Sequence, residues 1–478
     1  MRAPMTISVH DSLSGKTVPF EPLNAPQVRL YVCGLTPYDH VHIGHARTYV
    51  AFDVIRRWLE YRGYRVKHVQ NVTDVDDKII ARAAEVGEQP GELAARFDEE
   101  GRQAMRRLGI QDPHVMPKVS EHVQEIRELI AKLVERGAAY EAQGNVYFAV
   151  KSFPDYGRLS KVNVEEMLEG VRKEVAEGKR DALDFALWKK AKPGEPFWGS
   201  PWGPGRPGWH IECSAMAIEH LGRGMDIHGG GMDLKFPHHE NEIAQSEAAT
   251  GVRFVKHWMH TGFLTVNGEK MSKSLGNFIT LTDALSKWRP EALRLFFVGT
   301  HYRSRIDFSE ASVAQAGANV EYVWNTLASL EHAVRVAAAA EGTSRNPAGE
   351  SMRQALADRR AAFETAMDDD LNTPVALAEL LALCNAANRY LKEEAKPNAA
   401  LVQETTATLR QLAGILGILP QAGGADDLAP RLVELLLELR SEARKRKDFA
   451  TSDRIRDGLK AAGVVVEDTP TGAKWRRA

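Results

Sequence analysis

The sequence has few cysteines, no long apolar run and almost no net charge. Its 478 residues include only 3 cysteines, too few for a disulfide framework. No stretch approaches the roughly 18 consecutive apolar residues of a membrane-spanning helix, and the N-terminus lacks the apolar core of a secretory leader. We therefore expect a cytoplasmic protein without a membrane partner.

The small net charge excludes an indiscriminate binder of polyanions. The chain has 62 basic and 64 acidic residues, a net charge of −2, and so carries no bulk positive field. The charge is unevenly distributed, however: residues 440–478 hold 11 Lys/Arg and 6 Asp/Glu, which leaves −7 for the rest. If a nucleic acid binds, we expect the basic end to contact it.

The first part of the chain has the pattern of an α/β fold. A buried strand at 28–32, an amphipathic helix at 46–61 and an apolar stretch at 64–72 predict a βαβ unit with parallel strands. Further strands are expected at 225–228 and 258–264. We predict a Rossmann-like parallel sheet.

The length of 478 residues allows roughly three domains, at about 150 residues per domain. A Pro/Gly/Trp-rich segment at 193–210 suits neither a helix nor a central strand, and we read it as the end of an insertion. Alanine-rich helical periodicity follows from about 310. The predicted parts are an α/β domain at 1–310 with an insertion at about 110–210 and a functional loop region at about 260–310, a helical bundle at 311–425, and a small α+β unit at 426–478.

Two histidines surround a glycine where the first helix is expected to begin, in the segment His42, Ile43, Gly44, His45. A helix start gathers unpaired N–H groups and the positive end of the helix dipole, so a phosphate could bind there beside imidazole donors. Taken alone, the segment also fits an ordinary surface turn.

A second segment, Lys270, Met271, Ser272, Lys273, Ser274, follows an Asn-Gly pair. Its two lysines could stabilise charge on a triphosphate and its leaving pyrophosphate, and its serines could donate hydrogen bonds. A solvated lysine-bearing loop is the alternative. The occurrence of both segments in this order is more specific than either alone.

Cysteine, histidine and glutamate residues suggest a zinc site. His238 and Glu242 are four residues apart, on one face of a predicted helix, and Cys33 and Cys213 lie beside glycine-rich or turn segments. Spacing alone leaves this site open, because the cysteines are remote in sequence and His239 competes with His238. The third cysteine, Cys384, lies in an apolar helical stretch and is expected in the core.

The two nucleotide-binding segments resemble the signatures of class I aminoacyl-tRNA synthetases. Segments at 207–216, 226–234, 236–242, 447–456 and 468–477 resemble the cysteinyl-tRNA synthetase family, so the similarity covers nearly the whole chain. The resemblance implies that L-cysteine is activated with ATP and transferred to tRNA(Cys), with Zn²⁺ selecting the substrate thiolate and Mg²⁺ accompanying ATP. It also makes 1–310 the catalytic domain and 426–478 the anticodon-binding unit.

The resemblance assigns roles to individual residues. The catalytic set is His42, His45, Lys270 and Lys273, and ATP binding adds Gly44, Asp233 and Ser272. The zinc ligands are Cys33, Cys213, His238 and Glu242; the cysteine contacts are Gly34, Thr73 and Trp209; the anticodon contacts are Arg444, Phe449, Asp453 and Asp468. The first loop reads C-G-L-T-P-Y at 33–38 where the family usually has C-G-P-T-V-Y, which leaves its backbone conformation open.

Two other functions compete with this one. A related ligase joins cysteine to the amino group of an amino-sugar inositol; the T-P-Y wording favours it, but it lacks an anticodon tail. A non-catalytic paralogue is opposed by the intact signature segments. We expect a monomer.

Overall fold

The computed structural model describes residues 6–162, 178–272, 275–337, 347–420, 425–469 and 472–477. The chain divides into two compact units, 1–418 and 419–478. Within the described ranges, no helix combines the length and the apolar character that a membrane crossing requires.

The strands are β1 (Ser8–Asp11), β2 (Lys16–Pro19), β3 (Gln27–Leu35), β4 (Arg65–Val72), β5 (Ala139–Ala142), β6 (Asn145–Phe148), β7 (Phe185–Lys190), β8 (Gly205–Pro207), β9 (Met225–Gly231), β10 (Val255–Thr261), β11 (Leu264–Val266), β12 (Glu269–Lys270), β13 (Ile306–Phe308), β14 (Val464–Thr469) and β15 (Gly472–Arg477). The α-helices of the described residues are α1 (Ile43–Tyr61), α2 (Asp77–Val86), α3 (Pro90–Arg107), α4 (Val123–Glu135), α5 (Trp209–Leu221), α6 (His238–Thr250), α7 (Leu281–Lys287), α8 (Pro290–Val298), α9 (Glu310–Ala337), α10 (Pro347–Asp368), α11 (Thr373–Glu393), α12 (Ala399–Leu416), α13 (Ala425–Lys445) and α14 (Phe449–Ala461).

A four-stranded parallel sheet in the order β10-β9-β3-β4 forms the centre of the first unit. Strand β3 is buried along most of its length, as expected for a parallel strand covered on both faces. Its neighbours are in register at Tyr31, which lies opposite Val69 on one side and His228 on the other. The predicted α/β fold with a parallel sheet is confirmed.

The strands predicted at 28–32 and 225–228 extend over 27–35 and 225–231, and two further boundaries were wrong. The first helix begins at Ile43 rather than at 46, because the His42 side chain caps its free N–H groups. The strand predicted at 258–264 ends at Thr261, and the chain continues in a different sheet from Leu264. Gly262 separates them, and a Cβ there would lie 2.3 Å from the Ser304 carbonyl oxygen.

Between α1 and α5 the chain forms an antiparallel sheet, β5-β6-β7-β8. The proline-rich segment contains β8 at the edge of this sheet, where proline's missing N–H leaves no gap in the ladder, and its last two residues begin α5. Helix α4 buries Ile126, Ile130 and Leu133 in the same core as Trp188 of β7.

After the central sheet, β11 and β12 form a hairpin around Asn267 and Gly268. Both turn residues have positive φ, 51° and 82°, as an Asn-Gly hairpin turn requires. Strand β11 also pairs in parallel with β13.

Helices α9 to α12 form the predicted bundle. Helix α11 buries Leu380, Leu383, Cys384 and Ala387, which follow the spacing of one helix face. Cys384 lies in this core, as expected.

A buried ion pair joins α1 to its surroundings. Asp53 on α1 pairs with Arg294 of α8, whose side chain is fully buried, and with Arg57, at 2.7 Å from its Nε. The two arginines also donate to the carbonyl oxygens of Leu416 and Gly414, both on α12, at 2.7 and 3.1 Å. This network connects α1 to the bundle.

The second unit contains α13, α14 and the antiparallel pair β14-β15. Val433, Leu437 and Leu459 are its buried core. This is the α+β arrangement expected of the C-terminal unit.

Candidate functional site

Four side chains that are distant in sequence meet at the carboxyl end of β3. Cys33 lies on β3, Cys213 on α5, and His238 and Glu242 one turn apart on α6. All four are buried, and their ligand atoms lie within 4.8 Å of one another. The register of β3 against β4 shifts between Val32 and Leu35, and such a bulge redirects the side chains between them.

The donor distances of this set fit a tetrahedral metal ion. The two sulfurs are 3.9 Å apart, and the Cys33 sulfur is 3.6 Å from Glu242 Oε1. Tetrahedral zinc with Zn–S of about 2.3 Å and Zn–O of about 2.1 Å separates such atoms by roughly 3.8 and 3.6 Å. His238 Nε2 is 3.1 Å from the same carboxylate oxygen. The structure therefore contains a Cys/His/Glu cluster that could hold a metal ion.

The protonation of the two thiols is linked. A hydrogen bond from Cys33 lowers the pKa of Cys213 to about 7, whereas burial raises the pKa of Cys33 well above its usual range. A divalent cation between them would favour both thiolates.

A second possible set overlaps the first. It combines Cys33 and Glu242 with His228 and His239, whose Nε2 atoms lie 3.5 and 3.3 Å from the Cys33 sulfur. His239 is thus near the cluster, as its competition with His238 in the sequence suggested. Its Nδ1 is bonded to His260 at 2.8 Å.

His228 was missed by sequence reasoning. It lies on β9, which pairs directly with β3, so the sheet order brings it to Cys33. Its position near the carboxyl end of a parallel strand was the signal that could have found it.

His210 was also missed. Its Nδ1 lies 3.0 Å from Nδ1 of His238, an arrangement that leaves Nε2 of His238 directed at Glu242. A hydrogen bond of this kind orients a metal-binding imidazole.

The three predicted cysteine contacts adjoin the cluster. Gly34 donates its N–H to Asn71 Oδ1 at 2.8 Å, and a Cβ at Gly34 would lie 1.5 Å from the Asn71 carbonyl oxygen. Thr73 accepts from Asn71 Nδ2 and donates to Glu212 Oε2, both at 3.1 Å. The Trp209 ring lies 4.5 Å from that of His238.

The altered first loop stays attached to β4. The carbonyl oxygen of Leu35 accepts a hydrogen bond from the Thr73 N–H at 3.0 Å. The loop is therefore held on the side where Gly34 and Thr73 lie.

Glu212 was missed as well. Its side chain is fully buried, and burial together with the adjacent Cys213 raises the pKa of its carboxyl group well above the usual range. Glu212 lies one turn after Trp209, on the same helix face, and this spacing could have identified it as a site residue.

The start of α1 is a reciprocal capping box made of two imidazoles. Nδ1 of His42 accepts from the N–H groups of Gly44 and His45 at 3.1 and 3.4 Å, and Nδ1 of His45 accepts from the His42 N–H at 3.5 Å. The two rings stack at 3.6 Å. In neutral rings, both Nε2 atoms then carry the proton and can donate to a ligand. Burial lowers the pKa of His45 well below its usual range, so this ring is neutral.

The second signature segment adjoins the first. Lys270 ends β12, and Ser272 donates its backbone N–H to Asn277 Oδ1 at 2.8 Å. Lys273 and Ser274 lie outside the described residues.

The chain after this loop is bonded directly to the start of α1. The Leu281 N–H donates to the Val41 carbonyl at 2.7 Å, and the Ile43 N–H donates to that of Ile279 at 3.2 Å. A Cβ at Gly44 would lie 3.6 Å from Met271 Cε. The start of α1 therefore adjoins the described part of the second segment and the chain that follows it.

Asp233 lies on a short 3-10 helix, Met232–Lys235, after the carboxyl end of β9. It is half-buried. The Tyr49 hydroxyl of α1 donates to the Cys33 carbonyl at 3.2 Å, which connects the helix of the first signature to the cluster.

The four predicted anticodon contacts all lie in the second unit. Arg444 is near the end of α13, and Phe449 begins α14 with 61% of its surface exposed. Asp453 pairs with Arg456 at 3.1 Å. Asp468 lies on β14.

Three family models match successive parts of the chain. The catalytic-domain model of the class I tRNA synthetases of the cysteine type matches residues 19–318. A DALR domain matches 362–420, and the anticodon-binding domain of cysteinyl-tRNA ligase matches 426–476.

Curated relatives are similar over their full length. The cysteine–tRNA ligase of Thermococcus onnurineus is 48% identical over 99% of both chains. That of Heliobacterium modesticaldum is 49% identical over 99% of this chain and all of its own.

Solved structures show the same fold at low identity. A methionyl-tRNA synthetase from Mycobacterium tuberculosis superposes with a TM-score of 0.63 at 16% identity, covering 89% of this chain and 96% of its own. A leucyl-tRNA synthetase from Agrobacterium radiobacter gives 0.61 at 12%, covering 83% and 85%. Since identity near one half extends along the whole length, the chain belongs to the cysteine–tRNA ligases, a family of class I aminoacyl-tRNA synthetases.

Proposed function

We propose that this enzyme activates L-cysteine with ATP to cysteinyl-adenylate and pyrophosphate, and then transfers cysteine to the terminal ribose of tRNA(Cys). The single observation that carries the proposal is the joining of two surfaces. Backbone hydrogen bonds join the start of α1 to the end of the 270–280 loop, and this surface is suited to binding a nucleotide. The Tyr49–Cys33 hydrogen bond connects α1 to the buried Cys/His/Glu cluster.

In the first step the cysteine carboxylate attacks the α-phosphate of ATP in line. His42, Gly44 and His45 would contact phosphate oxygens through imidazole Nε2–H and backbone N–H donors at the helix start. Lys270 and Lys273 would neutralise charge on the leaving pyrophosphate, with Ser272 donating to it and Asp233 contacting the nucleotide. Mg²⁺ would accompany the phosphates.

We propose Cys33, Cys213, His238 and Glu242 as the zinc ligands, because this set uses both thiolates and matches a tetrahedral spacing. Zinc bound there would select a substrate thiolate over a serine hydroxyl, which is harder and far less readily ionised. Gly34, Thr73 and Trp209 would form the rest of the cysteine pocket.

The remaining assignments keep the boundaries expected from the sequence, and the three domain matches support their order. Residues 1–310 would be the catalytic domain with its insertion at 110–210, 311–425 the bundle, and 426–478 the anticodon-binding unit, where Arg444, Phe449, Asp453 and Asp468 would contact bases. The three cysteines are free thiols, in keeping with a cytoplasmic enzyme, and we propose a monomer.

The test is cysteine-dependent ATP–pyrophosphate exchange followed by transfer to tRNA(Cys) or to an amino-sugar inositol. Exchange with tRNA charging supports the proposal, and exchange with transfer to the amino-sugar alone would favour the alternative ligase. The anticodon-domain match at 426–476 favours tRNA. Absence of exchange would favour a non-catalytic paralogue.

Metal analysis separates the two overlapping ligand sets. We expect Cys33→Ser, Cys213→Ser and His238→Ala to lose zinc, and His228→Ala to retain it. Zinc loss in His228→Ala with retention in His238→Ala would favour the other set. With zinc intact, serine should be activated at least about 10⁴-fold less efficiently than cysteine, because fidelity without editing demands discrimination of that order.

A further inference from the structure

The carboxyl group of Glu212 has one oxygen that is paired and one that is not. The residue lies on α5 immediately before Cys213 and has no exposed surface. Oε2 accepts the Thr73 hydroxyl at 3.1 Å. Oε1 is buried and has no hydrogen-bond partner among the described residues. Buried carboxyl oxygens normally accept a hydrogen bond, so this atom can accept one from a bound ligand.

The surroundings of Glu212 place that acceptor at the cysteine pocket. A chain of hydrogen bonds runs from the Gly34 N–H through Asn71 and Thr73 to Glu212. Trp209 precedes Glu212 by one helical turn and so shares its face of α5. Three of these residues are the ones assigned above to the cysteine pocket.

The chemistry of the substrate supplies the missing donor. Cysteine enters as a zwitterion, and its ammonium group has three N–H donors that need acceptors once water is excluded. The neighbouring side-chain oxygens, Asn71 Oδ1 and Thr73 Oγ1, already accept hydrogen bonds from within the protein. Oε1 of Glu212 accepts in either protonation state of the carboxyl group, and in the ionised state it also offers opposite charge.

We propose that Glu212 binds the α-ammonium group of the cysteine substrate. The hydroxyl group of Thr73 holds the Glu212 carboxyl group in position. This inference rests on the proposed activation of cysteine. It makes the pocket selective for an α-amino thiol rather than for any thiol.

The test compares Glu212→Gln with Glu219→Gln, the other glutamate of α5, which is exposed. In Glu212→Gln the amide oxygen can still accept from Thr73, but an NH₂ donor then faces the ammonium. We expect the KM for cysteine in ATP–pyrophosphate exchange to rise by about 10-fold or more, the effect of losing a charged hydrogen bond. The KM for ATP and the zinc content should not change, and Glu219→Gln should match the wild type.

A substrate analogue distinguishes binding from a structural effect. The compound 3-mercaptopropionate is cysteine without its amino group, and it should inhibit exchange by wild-type enzyme far more weakly than cysteine binds. In Glu212→Gln this gap should close, because only cysteine loses a contact. If the variant does not fold, Glu212→Asp should show an intermediate loss of cysteine affinity and keep part of the discrimination.

Three results would overturn the inference while leaving the proposed function intact. One is an unchanged KM for cysteine in Glu212→Gln; another is an equal loss of affinity for cysteine and 3-mercaptopropionate. The third is closure of the gap in Asp233→Asn instead, which would assign the ammonium to that acid. Absence of cysteine-dependent exchange in wild-type enzyme would instead contradict the proposed function itself.

Discussion

The ring of His42 accepts two backbone N–H groups through Nδ1, so its Nε2 is the protonated nitrogen of the neutral ring. The same atom arrangement holds for His45, which accepts from the His42 N–H. Each imidazole therefore stabilises the helix start with one nitrogen and presents a donor with the other. A residue that caps the helix but offers no such donor would separate the effect on stability from the effect on the proposed catalysis.

We expect His42→Asn to keep the helix cap but to lose the donor. Asparagine is a favourable N-cap, so the free energy of unfolding should change little, whereas His42→Ala should lose about 1 kcal/mol. In both variants kcat of ATP–pyrophosphate exchange should fall by about 10²-fold or more. Urea unfolding and exchange kinetics measure the two effects; near-normal kcat in His42→Asn would contradict a role for Nε2.

Two buried histidines away from the metal cluster have no hydrogen-bond partner at either ring nitrogen among the described residues. Both nitrogens of His68 and of His257 are unpaired. Burial lowers the pKa of His68 to about 3 and that of His257 to about 4. Because the unfolded value is about 6.5, the unfolded chain binds more protons below that pH.

The contribution of these two neutral histidines to the free energy of unfolding should therefore be fully present above pH 6.5. It should decrease as the pH falls towards 4, by up to about 1.4 kcal/mol per pH unit for each histidine. Urea unfolding at pH 7.5 and 5.0 measures this loss. The variants His68→Gln and His257→Gln should each show a smaller difference between the two pH values than the wild type. An unchanged difference in both would mean that other groups cause the acid sensitivity.

At the scale of elements, the packing of α1 against α8 and α12 depends on one buried carboxylate. Burial would raise the pKa of Asp53, but the guanidinium groups of Arg294 and Arg57 lower it overall. Gly417, at the end of α12, has a φ of 69°, and a Cβ there would lie 2.3 Å from Arg294 Nε. A side chain at position 417 would therefore displace the Arg294 guanidinium group from this ion pair.

We expect Asp53→Asn to reduce the free energy of unfolding by about 3–5 kcal/mol, because it leaves Arg294 buried without a counter-charge. The matched control is Glu85→Gln, which breaks an exposed pair with Arg82 and should cost no more than about 1 kcal/mol. Urea unfolding compares the two. Equal losses would show that water or another acceptor compensates Arg294.

At the scale of the whole molecule, the basic charge and the cysteine chemistry lie in different units. Residues 440–478 carry a net charge of +5 and belong to the unit 419–478, whereas the Cys/His/Glu cluster lies in 1–418. A near-neutral enzyme can therefore offer a basic surface to one RNA without attracting polyanions in general.

Deleting residues 426–478 should strongly reduce charging of tRNA(Cys) and leave cysteine-dependent ATP–pyrophosphate exchange nearly unchanged. The reason is that all the groups proposed for activation lie in the first unit, residues 1–418. Parallel assays of the two reactions on the truncated enzyme measure this. Loss of both activities would show that the tail stabilises the catalytic part instead.

Local patterns in the sequence were enough for the parallel strands, the bundle and the two signature segments, because these depend on periodicity and on residues adjacent in the chain. They also indicated the four candidate zinc ligands, but left His239 as a rival. Spacing cannot rank two neighbouring histidines, since the choice depends on where Cys33 and Cys213 lie in space.

Only the tertiary structure decided which distant groups meet. His228 reaches Cys33 through the order of strands β9 and β3, and Glu212 reaches Thr73 through the packing of α5 against the end of β4. The sequence by itself determined the chemistry that the chain carries, because residue types and local motifs are written along it. The pairing of that chemistry across as many as 209 positions, from Cys33 to Glu242, depends on sheet topology, which no local pattern encodes.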